Sequence, residues 1–292
     1  MSAESVKRKK QRGGDPGLAA RRVVAYVVLI FLTVLSLFWF YVLFINATRS
    51  HYDILKGFSV LPGHSLLANL NNVLSNSEVP VLRGMLNSFI VAGSCAVLSV
   101  YVSTLTAYGI FAYRFRLRRV AYMFILLVMM VPTQVSALGF VDLMTKMGLH
   151  DSLLPLILPS AAAPVVFFFI IEYMESSLPM EIIEAARIDG SGEFATFNRI
   201  ILPMVKPALA VQAIFTFVSN WNNYFIPALI IESKNKKTLP ILMAQLRSAD
   251  WLKFDMGQVY MLIALAILPV IIVYLCLSKF IVRGVALGAV KG

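Results

Sequence analysis

The chain has 292 residues, 59% of them hydrophobic and 14% charged, with a mean hydropathy of +0.79, whereas an ordinary soluble domain is about 45–50% apolar and about 25% charged. This excludes a soluble enzyme and a disordered chain, and it implies a fold held together by helix packing in lipid. The formal net charge of +11 comes from 26 Lys and Arg against 15 Asp and Glu; it does not point to nucleic acid, because the cations collect at the ends of apolar stretches and form no single basic face.

Residues 1–22 form a basic arm with Lys7, Arg8, Lys9, Lys10, Arg12, Arg21 and Arg22. A bilayer core of about 30 Å is crossed by roughly 20 apolar residues as helix, and six runs reach that scale. The first, 23–45, is uncharged and too long for a signal-peptide core of about 7–15 residues, so it reads as a retained helix. The second, 88–113, carries Cys95, Ser99, Ser103 and Ala107 at every fourth position, a small-residue stripe that lets helix backbones approach. The third, 120–141, is interrupted by Pro132 beside Thr133 and Gln134, and the fourth, 153–171, carries Pro155, Pro159 and Pro164. Both should bend. Asp151, just before the fourth, reads as its N-cap. Runs 208–231 and 256–278 complete the set, the last containing Pro269. Cys95 and Cys276 both lie in or beside apolar runs, so neither a disulfide framework nor a Cys metal site is expected.

Lys and Arg in the short flanks set the orientation. The basic arm and the Arg114, Arg116, Arg118 and Arg119 turn place both termini in the cytoplasm. Loops 46–87, 142–152 and 232–255 are then outside, and 172–207 and the tail 279–292 inside. The last outer loop breaks the trend with Lys234, Lys236, Lys237, Arg247 and Lys253. Either the topology is wrong there or that loop has a partner; the competing use of its cations is a solvated loop folded onto its own helices.

The inner loop 172–207 is long enough to need a reason. Ser177 reads as an N-cap, Pro179 falls in a first turn, Glu181 and Glu184 come early, and Gly190 stands where a helix ends. Met180, Ile183 and Ala186 share one side, while Glu181, Glu184 and Ile188 share another. After Gly190-Ser191-Gly192 a second short helix runs to Leu202-Pro203, with Phe194, Phe197 and Ile201 as its apolar side. Such an L either rests on lipid headgroups or presents a knob to a cytosolic partner, with Ala185 and Ala186 small enough for close contact.

Polar groups inside a span tend to face a bundle interior or a cavity. The fifth run holds Gln212, Ser219, Asn220, Asn222 and Asn223 beside Trp221, Tyr224 and Phe225. Amides that bond hydroxyls and rings that cover C–H faces suit a sugar; the competing use is interhelical hydrogen bonding. Gln134, Asn220, Asn223 and Trp221 are the candidate pathway residues. No Gly-rich loop followed by Lys and Ser or Thr is present to cradle nucleotide phosphates, and no carboxylate sits inside a run to relay protons. His51, His64 and His150 lie in or beside outer loops, far apart, and suggest solvated side chains and no metal site.

Glu184-Ala185-Ala186, Gly190, Ile200 and Leu202-Pro203 resemble the EAA motif of inner-membrane permease subunits of binding-protein-dependent ABC importers. Asn220-Trp221-Asn222 with Pro227, Leu239-Pro240, Pro269 and the ending from Gly284 to Gly292 resemble the carbohydrate-uptake branch, in its smaller maltose-type permease. The resemblance covers about residues 20–292. It implies an all-α membrane protein with six transmembrane helices in a domain over 23–278, and a cytoplasmic coupling helix between the fourth and fifth. Glu184, Ala185, Ala186, Asp189 and Gly190 would dock in a cytosolic ATPase. The implied complex has a second homologous permease, two ATPase subunits that hold the ATP and Mg, and an extracytoplasmic sugar-binding protein; this chain itself needs no cofactor. It further implies that loop 232–255, with Lys236, Lys237 and Trp251, reaches toward the binding protein. The rival class is an ion-gradient-driven carrier, which the missing intramembrane carboxylates and the missing internal repeat disfavour.

Overall fold

The computed structural model describes residues 16–247 and 255–289, and among these every regular element is a helix. The basic arm up to residue 15, Trp251 and Lys253, and the last three residues lie outside the described part. In chain order the helices are α1 (Pro16–Ala47), α2 (His51–Leu55), α3 (Leu66–Ser75), α4 (Val81–Ala112), α5 (Arg118–Met129), α6 (Thr133–Lys146), α7 (Leu154–Ile157) and α8 (Pro164–Ser177). They continue as α9 (Met180–Ile188), α10 (Glu193–Thr196), α11 (Leu202–Met204), α12 (Lys206–Trp221), α13 (Phe225–Ile230), α14 (Leu239–Arg247) and α15 (Met256–Ala289). Four stretches are long and apolar enough to cross a membrane, and six if each sharply bent helix pair counts as one.

The expected bends are present. α5 and α6 meet at 95° around Pro132, whose ring serves as the N-cap position of α6. The fourth crossing is three pieces, α7, a 3-10 turn over Leu158–Ala161, and α8, each with one of Pro155, Pro159 and Pro164 in its first turn. There the missing N–H has no helical partner to lose. Several boundaries differ from the sequence expectation; α1 already begins at Pro16, inside the basic arm 1–22. α4 begins at Val81 and not at residue 88, because Arg83, which ends the uncharged run, finds the Asn235 carbonyl at 3.2 Å beyond the helix. The fifth crossing breaks at residues 222–224 into α12 and α13. α15 carries through Pro269 to Ala289, so residues 279–289 extend the helix and do not form a separate tail.

α4 is the central post. Its small-residue face is buried at Ser88, Ala92, Cys95, Ser99, Ser103 and Ala107, and α12 and α8 both pack against it. Cys95 Sγ and Ser103 Oγ donate at 3.2 Å to the carbonyls of Leu156 and Ala163 in the proline-broken crossing. Gly84 permits a similar approach by α14, since a Cβ there would lie 2.3 Å from Leu242 Cδ1. α1 is the opposite case: it lies along α15, yet only 6% of its most apolar window is buried in this chain. An all-round apolar helix left so exposed belongs in lipid or against another membrane subunit.

Candidate functional site

At one end of the bundle the chain from residue 178 to residue 205 folds back as an L. α9 starts later than Ser177: Leu178 is extended at φ −107° and ψ 110°, as a residue before proline prefers, and Pro179 takes the N-cap position. Ile183 and Ala186 are buried, Ile183 in the cluster that holds Ile170, Ile171, Phe197 and Ile201, and burying an Ile side chain contributes about 1.5–3 kcal/mol. The opposite side of α9 is open, with Glu181, Glu184, Ala185 and Asp189 exposed and Ile188 86% exposed. Gly190 ends the helix at φ +77°. Its N–H bonds to the Arg187 carbonyl at 3.1 Å and that of Ser191 to the Ala186 carbonyl at 2.9 Å, the paired bonds of a left-handed helix stop.

The L is clamped to α4 by groups that sequence reading did not single out. Arg187 Nε meets Glu193 Oε1 at 2.7 Å, and Tyr108 Oη donates to Glu193 Oε2 at 2.7 Å. The Arg187 guanidinium also lies 5.1 Å from the centre of the Tyr113 ring. The Arg187 hydrogen bond, helped by Tyr108, holds the Glu193 carboxyl down at about 2. On the second arm Phe197 and Ile201 are fully buried, but Phe194, expected beside them, is 69% exposed. The arm passes from α10 into a π-helical stretch over Phe197–Ile201, and the changed helical period leaves Phe194 off the packed side.

Between α4, α6, α8 and α12 lies a cavity of about 1120 Å³. Asn220 and Asn223 line it, with Gln212, Thr216, Ser219, Thr133 and Ser136, and with the Phe140 and Phe215 rings; no ionisable side chain is among its lining residues. Asn220 Nδ2 donates to the Thr216 carbonyl at 2.9 Å, leaving its amide oxygen available. Thr238 also lines the cavity, and its hydroxyl is buried with no hydrogen-bond partner. A buried hydroxyl without a partner is rare enough to mark a place for water or ligand. Two of the four expected pathway residues are elsewhere. Trp221 is 2% exposed, stacks on Phe217 at 5.8 Å, and donates from Nε1 to the Ala266 carbonyl at 3.1 Å. At about 100° per residue it faces α15 while Asn220 faces the cavity. Gln134 is exposed outside the cavity, and its neighbours Thr133 and Ser136 line the wall instead.

At the other end of the bundle Asp151 does not cap its own helix; Leu153 holds that position in α7. Asp151 adopts φ +52°, the one positive φ outside glycine among the described residues. Its carboxylate accepts from the Glu232 and Ser233 amides at 3.0 and 2.9 Å, from the Ser233 hydroxyl, and from Lys236 Nζ at 2.9 Å. These bonds, the Ser233 hydroxyl foremost, hold its carboxyl well below the usual carboxylate range. Lys234 lies 3.4 Å from Glu78. Two of the cations that broke the orientation trend therefore have internal acids, whereas the Lys237 ammonium has no partner among the described residues.

Residues 97–287 match the family described as binding-protein-dependent transport system inner membrane component. The chain is 31% identical, over 95% of its length and 99% of the relative's, to the arabinooligosaccharides transport system permease protein AraQ of Bacillus subtilis. It is 30% identical, over 90% and 95% of the two lengths, to the sn-glycerol-3-phosphate transport system permease protein UgpE of Yersinia pestis. In fold it superposes with a TM-score of 0.78, at 22% identity, on a chain of a bacterial ABC transporter involved in the import of the acidic polysaccharide alginate, covering 91% of this chain and 98% of that one. The predicted all-α membrane architecture, the EAA-type loop and these relatives agree: the chain belongs to the inner-membrane permease components of binding-protein-dependent ABC transport systems.

Proposed function

We propose that the chain forms one half of the pathway through which an ATP-driven, binding-protein-dependent importer moves a neutral oligosaccharide. The observation that carries this reading is a mostly apolar cavity wall whose polar groups are amides and hydroxyls, with the Phe140 and Phe215 rings beside them and no charged group among the described lining residues. Such a wall bonds hydroxyls and covers C–H faces, but offers nothing to balance a phosphate or a uronate in a low-dielectric site. The arabinooligosaccharide relative fits that chemistry better than the glycerol-3-phosphate one.

On this reading α9 is the coupling helix. Its exposed side, with Glu184, Ala185, Asp189 and the turn at Gly190, docks in a groove of a cytosolic ATPase, and Ala186 joins it to the bundle. The ATP and Mg belong to that partner. A second homologous permease completes the pathway and covers α1, two ATPase subunits drive alternating access, and both termini face the cytosol. Loop 232–255 faces an extracytoplasmic sugar-binding protein; the Lys237 ammonium has no partner among the described residues, Lys236 is shared with Asp151, and Trp251 lies outside the described residues.

The test is Asn220→Leu combined with Asn223→Leu in the purified complex. Leaving a substrate hydroxyl without its partner costs about 1–3 kcal/mol, so sugar uptake should fall roughly 10- to 100-fold while the complex stays assembled on a sizing column. Wild-type uptake and affinity in the double variant would reject the cavity as the path.

A further inference from the structure

A second, smaller hollow of about 440 Å³ opens at the end of the bundle opposite the coupling loop, lined by residues including Tyr224, Glu232, Lys237 and Gln245. It adjoins the central cavity along the chain: Asn223 and Thr238 line the cavity, and their chain neighbours Tyr224 and Lys237 line the hollow. The helix break at residues 222–224 makes this possible, because consecutive side chains there diverge into separate spaces.

Three of the hollow's polar groups, those of Tyr224, Glu232 and Lys237, stand apart from those around it. Ser233, Lys234 and Lys236 are all engaged with Asp151 or Glu78. By contrast the Tyr224 hydroxyl, the Glu232 carboxylate and the Lys237 ammonium have no partner among the described residues, and Glu232 and Lys237 are not within ion-pair distance of each other. Tyr224 is 49% exposed, so its ring offers an open face. An aromatic face flanked by one acceptor-only anion and one donor-only cation, with their charges cancelling, matches a pyranose or furanose ring: C–H face against the ring, hydroxyls bonded at either side. A phosphate or uronate would meet Glu232 as well as Lys237.

We propose that this hollow is a saccharide-binding vestibule, which holds one ring of a neutral oligosaccharide ahead of the central cavity. This rests on the sugar reading above. The vestibule shortens the transfer from the binding protein, since Tyr224 and Lys237 are the chain neighbours of the cavity residues Asn223 and Thr238.

The experiment uses the complete complex in proteoliposomes, with its binding protein and a panel of radiolabelled arabinotriose, xylotriose and maltotriose; variants are tested with the trisaccharide the wild type transports best. Tyr224→Ala should raise the KM for loaded binding protein at least fivefold, with the maximal rate within twofold and basal ATP hydrolysis unchanged. Tyr224→Trp should restore the KM, because it keeps the aromatic face, and Tyr224→Leu should not. An unchanged KM in Tyr224→Ala, or equal rescue by Leu and Trp, overturns the vestibule. If Asn220→Leu with Asn223→Leu then still abolishes uptake, the central pathway stands without it. A wild-type complex that transports none of the panel overturns the sugar reading and the vestibule together.

Discussion

At Gly190 the constraint is backbone conformation alone: φ is +77° and a Cβ would meet nothing within 4 Å. A left-handed angle costs an ordinary L-residue about 1–2 kcal/mol, and a β-branched one is a true outlier there. Gly190→Ala should therefore lower the yield of assembled complex modestly, and Gly190→Val more, with detergent-extracted complex on a sizing column as the measure. Equal yields would mean that the helix stop does not set the shape of the docking loop. This residue was legible in the sequence because its cause is local, a helix with proline before it and glycine after it. Glu193 was not. It is held by Arg187 six residues away and by Tyr108, which is 85 residues away in sequence, and no local pattern announces a contact that only the packed bundle creates.

Between elements, the segment before α7 and the segment after α13 are tied through one carboxylate. Asp151 satisfies two backbone amides, a hydroxyl and an ammonium at once, while holding a φ that Asn and Asp tolerate better than Ala. Its folded pKa is depressed, so its stabilising contribution is present above the ordinary value of 3.8 and is lost only as pH falls toward the lower folded value. Three variants separate the causes. Asp151→Asn keeps the angle and part of the bonding and should melt slightly below wild type near pH 7; Asp151→Gly keeps only the angle; Asp151→Ala keeps neither and should melt lowest, each kcal/mol lost lowering the midpoint by about 2–4 °C. Indistinguishable melting of all three would show that the tie contributes nothing. The sequence placed this acid at a helix start, which is the commonest use of an Asp two residues before an apolar run. Its actual partners come from a loop 81 to 85 residues onward, where the same stretch of cations had looked unpaired. The proline-broken third and fourth crossings were legible, since a missing N–H acts wherever it falls. The break of the fifth at 222–224 has its signal further on, in Pro227, which can give no helical bond to the Asn223 carbonyl and whose ring clashes with it; Asn-Asn-Tyr itself carries none.

Across the whole molecule, the docking loop and the two cavities share a frame: α4 is gripped by the Arg187–Glu193 clamp at one end and receives the Lys237 and Asn235 carbonyls on Asn87 at the other. One continuous helix, α4, thus joins the contacts of the α9 loop to the segment beside Thr238. Glu184 lies on that exposed side, one turn from Ile188, so an acid and an apolar side chain stand together in the open where lipid headgroups would favour Lys and Arg. On the proposed docking, Glu184→Lys reverses a charge at a desolvated contact, where truncating or mismatching a charged partner costs about 2–5 kcal/mol. It should leave the bundle folded, since Glu184 is exposed. Ile188→Asp should act in the same direction by hydrating the other half of the contact. In purified complex both variants should lower sugar moved per ATP hydrolysed by at least tenfold, with the two permeases still associated and melting as wild type. Wild-type stoichiometry in both would move the ATPase contact off α9. Loss of permease association would instead place Glu184 in a structural role that its exposure does not foreshadow.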